Sequence, residues 1–231
     1  MQRRTGTTEA EALRAELDRW LFAAGHDLAE PARTIRSFLE LVERRHGASL
    51  ADEAREYVGF AMDAAKRLEV MLGSLIEFAR IGAAPCPGDE LDLQPVIAAA
   101  VRGLRPQLDA TGGSIEIGAL PTVTGSAQLW RRLFAILIEN AITYRSGASP
   151  VVRIAASPGR ITVADNGIGI APRFFARIFE PFQRLHTRDA IPGCGMGLTI
   201  ARRIAEHHGC SLDVESGEPG AAVFVVGLPA A

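Results

Sequence analysis

The chain has 231 residues, 48% of them hydrophobic and 23% charged, with a formal net charge of −2. That length suits one large domain or two small ones, and the balanced charge gives no electrostatic reason to expect nucleic acid or an anionic membrane as a partner. The longest apolar runs, LFAILI and VIAAAV, are far too short to span a bilayer, and the amino-terminal MQRRTGTTEAEALRAEL lacks the apolar core of a secretory signal.

From Glu9 to Val42 the apolar residues Leu13, Leu17, Trp20, Ala24, Leu28, Ile35, Phe38 and Val42 recur at steps of three and four, which marks one face of a helix. Gly47 in RRHGAS can stop that helix, and Ser49 with Asp52 can cap the next. The second helix has its own stripe, Ala54, Tyr57, Ala61, Ala64, Leu68, Met71, Leu75 and Phe78. Two helices cannot enclose a core, and both stripes are wide. A homodimer, in which two hairpins form a four-helix bundle, is the economical solution; packing of the hairpin against the rest of its own chain is the alternative.

The expected domains are therefore a helical hairpin over 1–82, a linker over 83–89 (within the run GAAPCPGDE, rich in proline and glycine) and a second domain over 90–231. Its runs SIEIGAL, VVRIAAS, RITVADN, CSLDVES and AVFVVGL read as strands, and LQPVIAAAVRGLRPQL, AQLWRRLFAILIENAITY and GLTIARRIAEHH as helices. That alternation predicts an α/β sandwich with a mostly antiparallel or mixed sheet. Three cysteines, Cys86, Cys194 and Cys210, form no Cys-x-x-Cys pair. They point to a reducing, cytoplasmic compartment and to no metal site built on thiolates.

Four features of the second domain carry chemistry. Asn140 shares an apolar helix face with Leu133, Leu137 and Tyr144, and an amide so placed needs a partner; a structural hydrogen bond and a metal ion are both open. Asp165 ends a strand and is followed by Gly167 and Gly169. A carboxylate there can accept from an exocyclic amine while the glycines let the backbone approach a flat ring, or the segment is a simple glycine turn. Phe179 and Phe182 flank Pro181 and open a polar, proline-broken stretch that reads as a lid or as an ordinary connection. Finally, GCGMGLT places Gly193, Gly195 and Gly197 directly before a helix, where backbone amides favour phosphate oxygens. The spacing is neither the dinucleotide fingerprint nor a Walker motif.

In this order, the asparagine helix, Asp-x-Gly-x-Gly, Phe-x-x-Phe and Gly-x-Gly-x-Gly resemble the ATP-binding domain of sensor histidine kinases, in the wider GHKL group that includes gyrase, Hsp90 and MutL and shares the Bergerat fold. The resemblance implies that Asn140 coordinates Mg²⁺ and that Asp165 reads adenine. It implies further that Tyr144, Gly167, Gly169, Phe179, Gly193, Gly195, Gly197, Leu198 and Thr199 complete the ATP site, under a lid running from about Phe179 to Gly195.

His26 then acquires a meaning. At about 100° per residue it falls opposite the stripe of the first helix and is exposed. Pro31 has no N–H to offer the Asp27 carbonyl, so the helix is expected to bend there. A histidine, an acid and a nearby proline joined to an ATP domain favour a displayed nucleophile over a solvated surface residue. HDLAEPARTI resembles the phosphoacceptor box of the histidine kinase dimerisation domain, in its phytochrome-like branch, and the likeness runs from about residue 13 to residue 228. It implies that His26 takes the γ-phosphoryl group of ATP, that Asp27 holds the other ring nitrogen, and that a response regulator receiver domain accepts the phosphoryl group on an aspartate.

Three positions depart from the family pattern. Ile136 stands where a second asparagine is usual, Thr143 where a lysine often lies near the phosphates, and Glu30 where many members place Thr or Asn for dephosphorylation. Arg145 or Arg188 could replace the missing charge. These departures leave two alternatives: a histidine phosphotransfer protein with a degenerate ATP domain, and an ATP-gated dimeric scaffold.

Overall fold

A computed structural model describes residues 3–85, 88–185, 193–217 and 221–229. The chain separates into two compact units, Met1–Ala84 and Pro85–Ala231. Part of the expected linker, Cys86 included, lies outside the described residues. Among the described residues no helix is long and apolar enough to cross a membrane.

The first unit is a helical hairpin of α1 (Arg3–His46) and α2 (Asp52–Ala83). α1 begins earlier and ends later than the apolar stripe suggests, and it runs through Pro31 without interruption. The turn at Gly47 is sterically enforced, because a Cβ there would collide with the Glu43 carbonyl oxygen. The expected cap of α2 is corrected: Ala51 is the N-cap and offers no side-chain bond. The Ser49 hydroxyl instead donates to the His46 carbonyl at 2.8 Å. Arg55 takes the remaining acceptors of the turn, the Gly47 and Leu50 carbonyls and the Asp52 carboxylate. These partners are all acceptors, so the guanidinium ties the turn to α2 while the first amides of the helix stay without a side-chain cap.

The two helices face each other through small residues and an ion pair rather than through the apolar stripes. Ala32, Ala65, Leu72 and Ala79 are buried. A Cβ on Gly25 would meet the Ile76 side chain at 2.8 Å, and Arg36 binds Glu69 across the pair at 2.9 Å. The stripe residues Leu13, Leu17, Trp20, Leu28, Ile35 and Phe38 of α1, and Tyr57 and Leu68 of α2, stay exposed.

The second unit is an α/β sandwich. β2 (Ser114–Ile117), β4 (Val151–Ser157), β5 (Arg160–Asp165), β7 (Ala222–Gly227) and β6 (Ser211–Ser216) form one sheet in the order β2-β4-β5-β7-β6. Only the β2–β4 pair is parallel, so the sheet is mixed. The strands predicted from sequence fall where expected. β1 (Glu90–Asp92) and β3 (Thr122–Thr124) form an additional two-stranded ribbon, each strand too short to leave a periodic signal.

Helices α3 (Leu93–Thr111), α4 (Ala127–Thr143) and α5 (Gly197–His207) complete the unit, with α4 packed against both of the others and against β4 and β5. Asp92 caps α3 by accepting from the Gln94 amide at 2.9 Å, and Gly112 ends it in the left-handed region at φ 64°. The core between the layers is made by Leu93, Ile97 and Leu104 of α3, Trp130, Leu133, Phe134 and Leu137 of α4, and Ile200 and Ile204 of α5. Ile154, Ile161, Leu212 and Phe224 meet them from the sheet. β4 and β6 supply alternate residues to that face, as a sheet covered on one side requires.

Candidate active site

Two elements aim the reading groups of the α/β unit into one cleft. β5 ends in Asp165, and α4 ends at Thr143 with Asn140 in its last turn. Asn140, Tyr144, Asp165, Ile168, Gly169, Arg184 and Leu198 line a cleft with about 580 Å³ of empty space, its open mouth included. Ile170, Ile178 and Leu185 add apolar wall.

The Asp165 turn is fixed by backbone and by a neighbouring amide. Asp165 Oδ1 accepts the Gly167 amide at 2.8 Å and the Ala222 amide at 3.3 Å. Both bonds fall on one oxygen, so Oδ2 has no hydrogen-bond partner among the described residues. Burial pushes the carboxyl up from its ordinary value, and the two amides pull it back. A half-buried anion with a spare lone pair gains from one further donor. Asn166 holds the turn from the other side. Its side chain accepts from the Val151 amide at 2.8 Å and donates to the Ser149 carbonyl at 3.0 Å. Sequence reasoning passed over Asn166, although an Asp-Asn-Gly run is the kind of segment in which an amide ties a turn to a neighbouring strand.

The glycines have separate reasons. A Cβ on Gly167 would lie 2.5 Å from the Tyr144 carbonyl oxygen and 2.9 Å from Asp165 Oδ1. Gly169 adopts φ 68°, where a side chain is strained. Gly195 combines a positive φ of 80° with a position 2.7 Å from the Gln183 carbonyl oxygen for any added Cβ. Gly193 also has a positive φ, and Gly197 opens α5. Met196, the N-cap of α5, gives no side-chain bond, so among the described residues the first amides of this helix have no intrahelical or capping acceptor. Leu198, in that first turn, lines the same cleft as Asp165.

Of the expected site residues, Gly167, Gly193, Gly195, Gly197, Phe179, Thr199 and Arg145 do not line the cleft. Phe179 is 5% exposed and Thr199 6%. The Thr199 hydroxyl donates to the Phe179 carbonyl at 3.0 Å. Arg145 binds the Ile142 carbonyl at the end of α4 and does not line the cleft. Residues 186–192 of the expected lid, Arg188 among them, lie outside the described residues. Arg184, missed from sequence, does line the cleft, and its Nη1 donates to the Gly193 carbonyl at 2.9 Å.

For a metal, the donor set is sparse. Asn140 supplies an amide oxygen, whereas Ile136, one turn earlier, is buried and apolar. Among the described residues no group of three or more His, Cys, Asp or Glu could hold an ion. One hard oxygen in a cleft that also holds the start of α5 fits Mg²⁺, which is commonly held by one or two protein oxygens, substrate phosphates and water.

In the helical unit His26 and Asp27 are both exposed, with side chains 71% and 85% accessible. Nδ1 of His26 lies 3.6 Å from Asp27 Oδ1, slightly longer than a direct hydrogen bond. The imidazole is open to a partner, with its second nitrogen turned to an acid.

Residues 125–231 match the family described as histidine kinase-, DNA gyrase B-, and HSP90-like ATPase. The whole chain aligns with phytochrome-like protein Cph1 of Synechocystis at 31% identity over 95% of its length, and with cyanobacterial phytochrome A of Nostoc at 35% over 96%. The chain carries a sensor histidine kinase catalytic core. It spans about 30% of the length of those two relatives. Among solved structures, full-length ShkA in complex with AMPPNP superposes with a TM-score of 0.65 and 25% identity, over 92% of this chain and 47% of ShkA. This histidine kinase core therefore joins a helical unit to a GHKL-type α/β unit, in the order that the motifs suggest.

Proposed function

We propose that the chain catalyses the ATP-dependent phosphorylation of His26 and passes the phosphoryl group to an aspartate in the receiver domain of a response regulator. The observation that carries this reading is the partly buried Asp165 carboxylate, with one oxygen unused in the wall of a cleft that also holds the first turn of α5. Such a group selects a ligand with an exocyclic amine at one end, and the uncapped helix terminus takes phosphates at the other. Adenine nucleotides have both. The AMPPNP complex of ShkA supports the same ligand class.

Asp165 and the glycine turn at 167–169 hold the base, Leu198 and Ile168 cover its faces, and the amides of α5 with Arg184 hold the phosphates. Asn140 would hold Mg²⁺, which neutralises charge on the transferring group when bound. Nε2 of His26 attacks with its lone pair, so the ring proton must sit on Nδ1, the nitrogen that faces Asp27. The N–P bond forms as the bond from the γ-phosphorus to the β–γ bridging oxygen breaks, and ADP leaves with that electron pair. Most of the rate comes from positioning and charge neutralisation.

Two further parts belong to this reading: a homodimer formed through the exposed stripes of the hairpin, and a cytoplasmic location with a receiver domain docking near His26. A phosphotransfer protein that has lost ATP use is the second reading, and the apolar Ile136 is the observation that favours it. Incubation with γ-labelled ATP and Mg²⁺, beside His26→Gln, separates the two. Acid-labile label on the wild type alone supports the kinase. No label from ATP, together with label accepted from a phosphorylated receiver domain, supports the relay. No label from either source leaves a nucleotide-gated scaffold.

A further inference from the structure

We infer that Thr199 and Arg202 are positioning residues that lock the phosphate-binding turn of α5 to the 179–184 segment, so that phosphate contacts depend on a clip lying outside the nucleotide cleft. This deepens the ATP-binding reading and rests on it.

The clip has two ends. At one, the Thr199 hydroxyl is buried and donates to the carbonyl of Phe179 at 3.0 Å. Phe179 closes a short 3-10 turn, Arg177–Phe179, and the chain becomes extended at Glu180. The bond therefore fixes the point at which the backbone leaves that turn. In the same first turn of α5, Leu198 lies in the cleft wall. Thr199 thus holds 179 while its neighbour Leu198 faces the cleft.

At the other end, the Arg202 guanidinium lies 4.2 Å from the centre of the Phe179 ring. It is also 3.7 Å from Asp213 on β6. Thr199 and Arg202 are one helical turn apart, so they grip the backbone and the ring of the same phenylalanine from one face of α5. A flat cation held over a ring by a carboxylate is a use to which lysine is poorly suited.

Two more contacts show that this register reaches the cleft. A Cβ on Gly195 would lie 2.7 Å from the Gln183 carbonyl oxygen and 2.9 Å from the Phe182 carbonyl carbon. Arg184, a cleft residue, bonds the Gly193 carbonyl. Residues 193, 195 and 199 therefore meet residues 184, 182–183 and 179 in antiparallel order. Phe182 is the one non-glycine residue with a positive φ, 60°, among those described. Such a conformation persists only where surrounding contacts hold it. Loss of the Phe179 anchor lets the opposing segment shift, and Arg184 with the α5 amides loses its setting relative to the phosphates. The adenine end, held by Asp165, Gly167 and Ala222, takes no part in the clip.

The test is calorimetric titration of the full chain with Mg²⁺-ATP and, separately, with adenosine, for the wild type, Thr199→Val, Thr199→Ser and Arg202→Lys. Thr199→Val and Arg202→Lys are expected to weaken ATP about five- to tenfold and to leave adenosine within about twofold, while Thr199→Ser restores ATP binding. Equal losses for ATP and adenosine, or wild-type ATP binding in both Thr199→Val and Arg202→Lys, overturn the inference. Arg202 is at the surface, so its variant gives an answer even if Thr199→Val does not fold. A wild type that binds adenosine but not ATP also overturns it, and one that binds neither removes the ATP-binding reading itself.

Discussion

The imidazole of His208 accepts a hydrogen bond from the Ser126 amide at 3.1 Å through Nε2, while its Nδ1 donates to the Ile204 carbonyl at 2.8 Å. Ser126 is the N-cap of α4 and His208 follows the end of α5, so one neutral ring joins the two helices that carry the cleft. The ring is 8% exposed, lies against Trp130, and a Cβ on Gly125 would collide with it. The tautomer is set by this geometry, because a protonated ring has no acceptor to offer Ser126.

Acid should therefore loosen the α/β unit. Burial holds the His208 ring below its ordinary value, and His207 nearby, itself lowered by burial and by Arg203, adds to the effect. A base depressed in the folded state contributes its full stability above the unfolded value near 6.5, and loses it as pH falls through the folded value, because the unfolded chain takes the proton first. The midpoint of thermal unfolding is expected to drop between pH 7.5 and 5.5. His208→Gln can keep an acceptor for Ser126 without a titrating group, so it should show a shallower drop. An equal slope in the variant would assign the acid sensitivity elsewhere.

Gly167→Ala tests the tightest backbone approach in the cleft. The added methyl lies 2.5 Å from the Tyr144 carbonyl oxygen, which is backbone and cannot swing away. Overpacking of that kind costs on the order of 1–3 kcal/mol. It also presses on the Asp165 oxygen that organises the turn. The expected outcome is a lower melting temperature together with loss of adenosine binding, read by calorimetry. Gly159→Ala serves as control, since its positive φ imposes strain but its Cβ meets nothing.

How much of this was legible in the sequence follows from the range of each signal. Strands β4 to β7 and helices α3 to α5 were readable because each repeats its pattern over at least six residues and covers one face of a single core. Asp165 and its glycines were readable because their spacing is local. The ribbon of β1 and β3 was not, since three residues carry no period. The partner of Thr199 was not readable for a different reason. The threonine's position in a glycine-rich helix start suggests phosphate, and only the fold brings the Phe179 carbonyl within 3.0 Å of it. The expected Ser49 cap failed in the same way, because the hydroxyl turns back to the His46 carbonyl, a contact the sequence does not order. Arg184 carries no motif signal, and its place in the cleft depends on the return of the chain at Gly193.

The exposed stripes of the hairpin predict its assembly. Leu17, Trp20 and Phe38 are 56%, 68% and 64% accessible, and Tyr57 of α2 is 60% accessible. Apolar side chains so exposed along one helix face are unfavourable in water, and a second copy of the hairpin would cover them. Light scattering on the wild type at micromolar concentration should give twice the chain mass. The double variant Trp20→Glu, Phe38→Glu should give the monomer mass while adenosine binding stays unchanged. A wild-type monomer would contradict the bundle.

Ile136 and Thr143 offer a gain-of-function test at the phosphate end. Both lie on α4, within one turn of Asn140, and Ile136 is 5% exposed with its Cγ2 3.4 Å from a Cβ built on Gly197. An asparagine at 136 is buried without an obvious partner in the free protein and should lower its melting temperature, since an unsatisfied polar group costs about 1–3 kcal/mol. With Mg²⁺ and ATP present the amide gains a ligand, so the melting temperature should recover. Thr143→Lys adds a charge-assisted phosphate contact, of the order of 1.5–3 kcal/mol, and should tighten ATP at least tenfold without tightening adenosine. The two changes act on one phosphate group, so their effects should not add. If neither variant raises the rate of label transfer to His26, the low charge of this helix does not limit ATP use, and the limiting step lies in bringing His26 to the nucleotide.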